Sequence, residues 1–224
     1  MNYPKIQTIF KRDDSGNIIP EQITKREFEV IKDWTITEKI DGMNIHIDFE
    51  RATSEYQVPT MGWVVSFHGK TDNAQIPTQL MKHLRDNFED LGKMCKIVSY
   101  FMEHDDSVKK VIIWGEGYGA GIQKGHEYSP TQKFMAYDMW IDGWWLEPLH
   151  AKKICDELGI PFVPVLAFHD TGTAMAAVQI ENAITYLGGN HPLEGVVATS
   201  NPLMLFRDGT PIKWKLKSRD YKVK

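Results

Sequence analysis

Lys39 stands in the run Glu38-Lys39-Ile40-Asp41-Gly42, between two stretches of strand character, which puts its amine at a turn where it can meet a bound ligand. A lysine is a nucleophile only as the neutral amine, so an ordinary pKa of about 10.4 must be brought down by desolvation or nearby positive charge. The far end of the chain offers such charge. In Lys213-Trp214-Lys215-Leu216-Lys217 the lysines alternate, so on a strand all three project from one face. Like charges in a row repel, which a solvated edge tolerates and a triphosphate site requires. Two acids complete the set: Glu116 follows the apolar run Val111-Ile112-Ile113-Trp114, and Glu194 opens Glu194-Gly195-Val196-Val197. Carboxylates at strand ends are where a hard cation such as Mg²⁺ is held. Each piece also has a plain reading, with Asp-Gly and Glu-Gly as turns and the lysine row as a guarded edge strand.

Other chemistries fail on their own requirements. Gly115-Glu116-Gly117-Tyr118-Gly119-Ala120 matches GxGxxA after a strand, but residues 121–130 hold two glycines and a proline where a pyrophosphate-binding helix must begin. GxxxxGK[ST] and GxSxG do not occur, and the eight histidines show no HExxH or paired spacing. Cys95 and Cys155 lie far apart, which fits a reduced, cytoplasmic protein without structural zinc.

The elements that must position these residues belong to an ordinary globular chain. Of 224 residues, 42% are hydrophobic and 25% charged, which excludes a disordered tail, a collagen-like fibre and a disulfide-stapled miniprotein. The apolar runs are too short to span a bilayer, and the N-terminus does not read as a signal peptide. The net charge of −4 argues against a general polyanion coat, while the twelve residues from Lys213 carry six bases and one acid. Residues 1–33 are mixed and polar, with a turn at 13–17. Strands are expected from Trp34, over 44–49, 63–67, 111–114, 133–140 and 162–168, and near 194–199, 203–207 and 211–217. A glycine-rich turn is expected after Trp114. Helices are expected over 78–91, with Leu80, Leu84, Phe88 and Leu91 on one face, and over 93–104, 148–158 and 172–187. The order is not a βαβ alternation, so the fold class is α+β with mostly antiparallel sheet.

The order of the motifs is informative. Glu38-Lys39-Ile40-Asp41-Gly42, Gly115-Glu116-Gly117, Phe134-Met135-Ala136-Tyr137-Asp138, Glu194-Gly195-Val196-Val197 and Lys215-Leu216-Lys217 resemble, in sequence, motifs I, III, IIIa, IV and V of the covalent nucleotidyltransferases. That superfamily comprises RNA ligases, DNA ligases and mRNA capping enzymes, and the details are most similar to ATP-dependent RNA ligases of phage type. The opening Tyr3-Pro4-Lys5-Ile6-Gln7-Thr8-Ile9-Phe10 and residues 68–75 are also similar to stretches of phage-encoded members.

The resemblance implies a nucleotidyltransferase (ATP-grasp-like) core of mostly antiparallel sheets with flanking helices. It implies that Lys39 attacks the α-phosphate of ATP and carries AMP, with Glu38, Asp41 and Gly42 of the same motif at the nucleotide and Asp41 in the metal and phosphate environment. Glu116 resembles the acid that hydrogen-bonds the ribose, and Phe134 the aromatic residue near the nucleoside. Glu194 resembles the acid that engages Mg²⁺ (or Mn²⁺). Lys215 and Lys217 resemble the pair on the α-phosphate, with Lys213 leaving the register open. Lys70 takes the place where the family usually has an arginine, without the bidentate fork.

The activity implied is joining of RNA 5′-phosphate and 3′-hydroxyl ends. With seven residues after Lys217, the expectation is a single adenylation domain over residues 1–224, without a C-terminal OB-fold or helical domain, leaving room for an accessory protein that holds substrate. A minimal DNA ligase core and a non-catalytic nucleotide- or RNA-binding module are the alternatives. No membrane partner is expected.

Overall fold

The computed structural model describes residues 2–52, 62–71 and 74–221. Its strands are β1 (Gln7–Thr8), β2 (Phe10–Arg12), β3 (Ile18–Ile23), β4 (Trp34–Lys39), β5 (Met43–Arg51), β6 (Trp63–Gly69), β7 (Lys110–Tyr118), β8 (Lys133–Ile141), β9 (Trp144–Trp145), β10 (Gly195–Ser200) and β11 (Lys213–Lys217). The helices are α1 (Arg26–Val30), α2 (Thr78–Leu84), α3 (Leu91–His104), α4 (Pro148–Leu158) and α5 (Thr171–Gln179). The described residues fall into two compact units, 2–3 with 41–162 and 4–40 with 163–221. The sheets are mostly antiparallel and the class is α+β, as expected.

The first unit is built on a five-stranded antiparallel sheet in the order β6-β5-β7-β8-β9. Alternation along β5 sends Ile45, Ile47 and Phe49 into a core that also takes Leu80 and Leu84 of α2, Ile97 and Phe101 of α3, and Ala151 and Cys155 of α4. The buried Cys155 thiol is pushed up to about 12 by desolvation, so it is inert at neutral pH. The expected helix over 78–91 is interrupted. A π-helical turn at Arg85–Glu89 follows α2, and Asp90 leaves the helical region and accepts the Lys93 N–H at 3.1 Å as the cap of α3. Leu80, Leu84 and Phe88 are therefore buried, while Leu91 is 55% exposed.

The expected turn after Trp114 is strand instead. β7 runs on through Tyr118, with a bulge between Trp114 and Gly115. A Cβ on Gly115 would lie 2.3 Å from the Phe134 ring, and one on Gly117 would lie 2.4 Å from Leu80. These glycines serve close packing within a strand.

The second unit holds a four-stranded sheet in the order β1-β11-β10-β4 and a hairpin of β2 and β3 around the turn at 13–17. Trp34, Ile36, Val196, Ala198, Trp214 and Leu216 form one face and meet Phe28 of α1 and Ala174 and Val178 of α5 in a second core. The lysine-bearing β11 is not an edge: β1 pairs with it in parallel, Gln7 opposite Trp214 and Thr8 opposite Lys215. Residues 162–168 and 203–207 make isolated bridges where strands were expected. Pro164 removes a ladder donor from the first of these segments, and Pro161 removes one just before it. α5 is capped by Asp170 and stops at Gln179, short of the expected end, and Asn182 then adopts a φ of +58°.

Candidate active site

Gly195 sets the geometry of the second unit's polar face. It lies opposite Lys39 on β4 and opposite Lys217 on β11, so the ends of three strands meet at one residue. Its φ is +156°, and a Cβ there would lie 2.1 Å from the Leu216 carbonyl oxygen and 2.8 Å from the Lys217 Cα. Only glycine admits that approach. The preceding residue, Glu194, reaches both flanking strands: Lys39 Nζ donates to Oε2 at 2.7 Å and Lys217 Nζ donates to Oε1 at 2.6 Å. The three side chains are 22%, 18% and 14% exposed for Lys39, Lys217 and Glu194, sheltered enough to interact more strongly than surface pairs.

Lys215 shares the pleat face of Lys217 and is half-buried. Its pKa is lowered, first by burial and then by the charges of Lys39 and Lys217, against a smaller opposing pull from Glu194. The site thus sets three ammonium groups against one carboxylate, and the excess is felt at Lys215. Lys213, on the same face, is 6% exposed. Glu38 is 2% exposed and projects to the other side of β4, with Trp34 and Ile36.

The remaining sequence-derived candidates lie in the first unit. Asp41 and Gly42 form the turn before β5, where the Asp41 N–H donates to the Tyr128 hydroxyl at 3.3 Å. A Cβ on Gly42 would lie 2.3 Å from the Gly117 carbonyl oxygen and 2.7 Å from Glu116 Cγ, so glycine lets this turn close onto the strand that carries Glu116. Glu116 is half-buried opposite Asn44, whose amide donates to the Tyr137 hydroxyl. Phe134 is 1% exposed and sits edge-on to Phe88 in the core, so it offers no exposed stacking surface here. Lys70 is exposed just beyond β6; residues 72 and 73 of the neighbouring stretch lie outside the described residues.

Sequence reasoning missed a polar cluster on the Asn44 side of β5. His46 Nδ1 meets Asp48 Oδ1 at 2.6 Å, and Lys110 Nζ donates to Asp48 Oδ2 at 3.0 Å. Burial pushes the Asp48 carboxyl up, but His46 and Lys110 outweigh it and hold it below its ordinary value. The signal was the alternation His46-Ile47-Asp48 itself, which sets two ionisable groups on one face of a strand. Among the described residues no three His, Cys, Asp or Glu side chains cluster as a metal cage. Glu194 is the carboxylate of the lysine row, and its two oxygens accept from Lys39 and Lys217.

This α+β arrangement sets a lysine and a carboxylate at adjoining strand ends. The chain belongs to the RNA ligase family, whose model matches residues 32–215. Among solved structures it is similar to RNA ligase from Naegleria gruberi. A mutant with ATP and Mn matches at a TM-score of 0.65 and 17% identity, over 99% of this chain and 57% of that one. The form with PPi matches at 0.58 and 18%, over 97% and 62%. A mutant with AMP and Mn matches at 0.59 and 17%, over 98% and 62%. This likeness establishes the fold, and the chain spans about three-fifths of the length of those proteins. A comparison with curated proteins finds no significant match. Among the described residues, no helix is long and apolar enough to cross a membrane.

Proposed function

We propose that the chain is an ATP-dependent RNA ligase that joins 5′-phosphate and 3′-hydroxyl ends through a lysyl-AMP intermediate. The observation that carries this reading is the placement of Lys39 and Lys217 on the two oxygens of Glu194. A nucleophilic amine, a phosphate-binding ammonium and a carboxylate are thereby held on adjoining strand ends. The ligands of the Naegleria enzyme support the reading, because ATP, AMP and PPi are the reactant, the retained fragment and the leaving group of a lysine adenylylation.

In the first step the neutral Lys39 amine forms an N–P bond to the α-phosphorus of ATP. The bond from that phosphorus to the bridging oxygen breaks, pyrophosphate departs, and the amine's proton passes to solvent. Lys215 and Lys217 face charge that develops on the α-phosphoryl oxygens. AMP then moves to the 5′-phosphate of an RNA end, and a 3′-hydroxyl displaces it. A divalent ion beside Glu194 supplies further charge neutralisation when bound. Glu116 is the ribose contact of this reading, and Asp41 and Gly42 shape the turn beside it. Residues 1–224 serve as one adenylation domain in this reading, and free Cys95 and Cys155 agree with a reducing, cytoplasmic setting.

The test is incubation with ATP labelled at the α-phosphate and Mg²⁺, followed by denaturing electrophoresis. The wild type should acquire an acid-labile AMP adduct that Lys39→Ala, folded by circular dichroism, lacks. An adduct that survives the substitution assigns the nucleophile elsewhere. Nicked duplexes with ribose or deoxyribose at the 3′-end separate RNA from DNA sealing.

A further inference from the structure

Glu38 is adjacent to the nucleophile, yet its carboxylate belongs to the other face of β4. It is 2% exposed on the side of Trp34 and Ile36, where an apolar residue would be expected, and burial raises its pKa. A buried carboxylate is retained at a cost, so its hydrogen bonds show what it does. Oε2 accepts the Tyr186 backbone N–H at 2.9 Å, and the Thr185 hydroxyl adds a second stabilising contact. Thr185 in turn accepts the Leu187 N–H on its Oγ1 at 3.1 Å.

Thr185 and Tyr186 lie in a small hairpin over residues 183–193. Ile184 bridges Pro192, the Thr185 N–H donates to the His191 carbonyl at 2.9 Å, and the Leu193 N–H donates to the Ala183 carbonyl at 2.8 Å. Gly188 and Gly189, at φ +85° and +92°, turn the chain at its tip. The returning arm ends at Leu193, 3% exposed in the second core, and the next residue is Glu194. One buried carboxylate therefore ties the strand that carries Lys39 to the hairpin that delivers the carboxylate paired with Lys39. Loss of that tie frees the outgoing arm near Thr185, and the cross-hairpin bonds carry the displacement to Leu193 and Glu194.

We propose that Glu38 is a positioning residue for lysine adenylylation, fixing Glu194 against Lys39 and Lys217 by anchoring the 183–193 hairpin, in place of the nucleotide contact that the resemblance implies for it. This rests on the adenylylation reading and deepens it. Such a role needs a hydrogen-bond acceptor at position 38 and does not need its charge. Glu38→Gln keeps an acceptor oxygen for the Tyr186 N–H, whereas Glu38→Met keeps the volume and loses the acceptor.

The experiment measures the rate of enzyme–AMP formation without RNA, as a function of ATP concentration, for wild type, both variants, Glu194→Gln and the double variant Glu38→Met/Glu194→Gln. Expected is a rate for Glu38→Gln within about threefold of wild type. Glu38→Met should fall on the order of 10–100-fold in maximal rate with little change in KM for ATP, as a misplaced catalytic group does. In the Glu194→Gln background the further loss from Glu38→Met should shrink to about twofold, because the two substitutions disable one arrangement. A Glu38→Gln variant that melts like wild type but loses more than tenfold overturns the proposal, since charge would then be what matters. Wild-type rates in Glu38→Met overturn it as well, and so does a full additive loss in the double variant. A wild type that forms no adduct overturns the proposed function and this inference together, whereas an active wild type leaves the function standing whatever Glu38 does.

Discussion

Lys215 is the side chain on which the strain of gathering like charges falls. Its pKa is lowered by burial and by two neighbouring lysines, so the folded state binds its proton less tightly than the unfolded chain. By linkage, the penalty is fully present below the lowered pKa and is relieved as pH rises through it toward the ordinary value. Lys215→Met is therefore expected to keep or raise the melting temperature at pH 7 while slowing adenylylation on the order of 10²–10³-fold. A variant that loses stability at pH 7 and keeps its rate contradicts this account. Residue types and order made Lys39, Glu194, Lys215 and Lys217 legible in the sequence, because strand alternation puts lysines two apart on one face. The direction of Glu38 and the burial of Phe134 were not legible. Motif spacing says which residue stands where, and the pleat and the neighbouring core decide which way it faces.

At the scale of elements, the strand ends around Gly195 have the least room for change. Gly195→Ala would push a methyl onto the Leu216 carbonyl, which is backbone and cannot rotate away. The expected outcome is a loss of about 2–4 kcal/mol in denaturant unfolding and of adenylylation as well, because Lys217 and Lys39 are displaced from Glu194 together. Unfolding at wild-type denaturant concentration would refute that geometry. The main strands and helices were legible from periodicity, as in β5, where apolar residues alternate with polar ones. β7 beyond Trp114 was not, since Gly115 and Gly117 look like turn formers and their real reason is the Phe134 ring and Leu80 packed against them. The 162–168 and 203–207 segments carry strand-like composition, but pairing is a tertiary outcome and they make only isolated bridges.

For the molecule as a whole, the sharpest charge contrast lies between an acidic body and the basic C-terminal stretch. Part of that stretch is committed to the sheet: Lys213, Lys215 and Lys217 all belong to β11. Lys222 and Lys224 lie outside the described residues. For the proposed ligase, replacing both by alanine should weaken RNA binding, flatten its salt dependence and leave enzyme–AMP formation unchanged. Titrations of labelled RNA at several ionic strengths, beside the adenylylation rate, check both halves; an unchanged salt slope contradicts the assignment.

The pairing of β1 with β11 has a consequence in time. It joins residues 7 and 8 to residues 214 and 215, and β4 pairs with β10 and bridges Val165 through Thr37, so the sheet that carries Lys39 is assembled from segments distant along the chain. The sheet of β5 to β9 is drawn from one continuous stretch with nearer partners. Contacts that close long loops form late, so in refolding the amides of β5 and β7 are expected to gain protection before those of β4 and β11. Pulse-labelled hydrogen exchange measures that order, and simultaneous protection would exclude it. On the ribosome Lys39 stays without Lys217 until β11 has emerged, so the proposed adenylylation waits for the synthesis of residues 213–217.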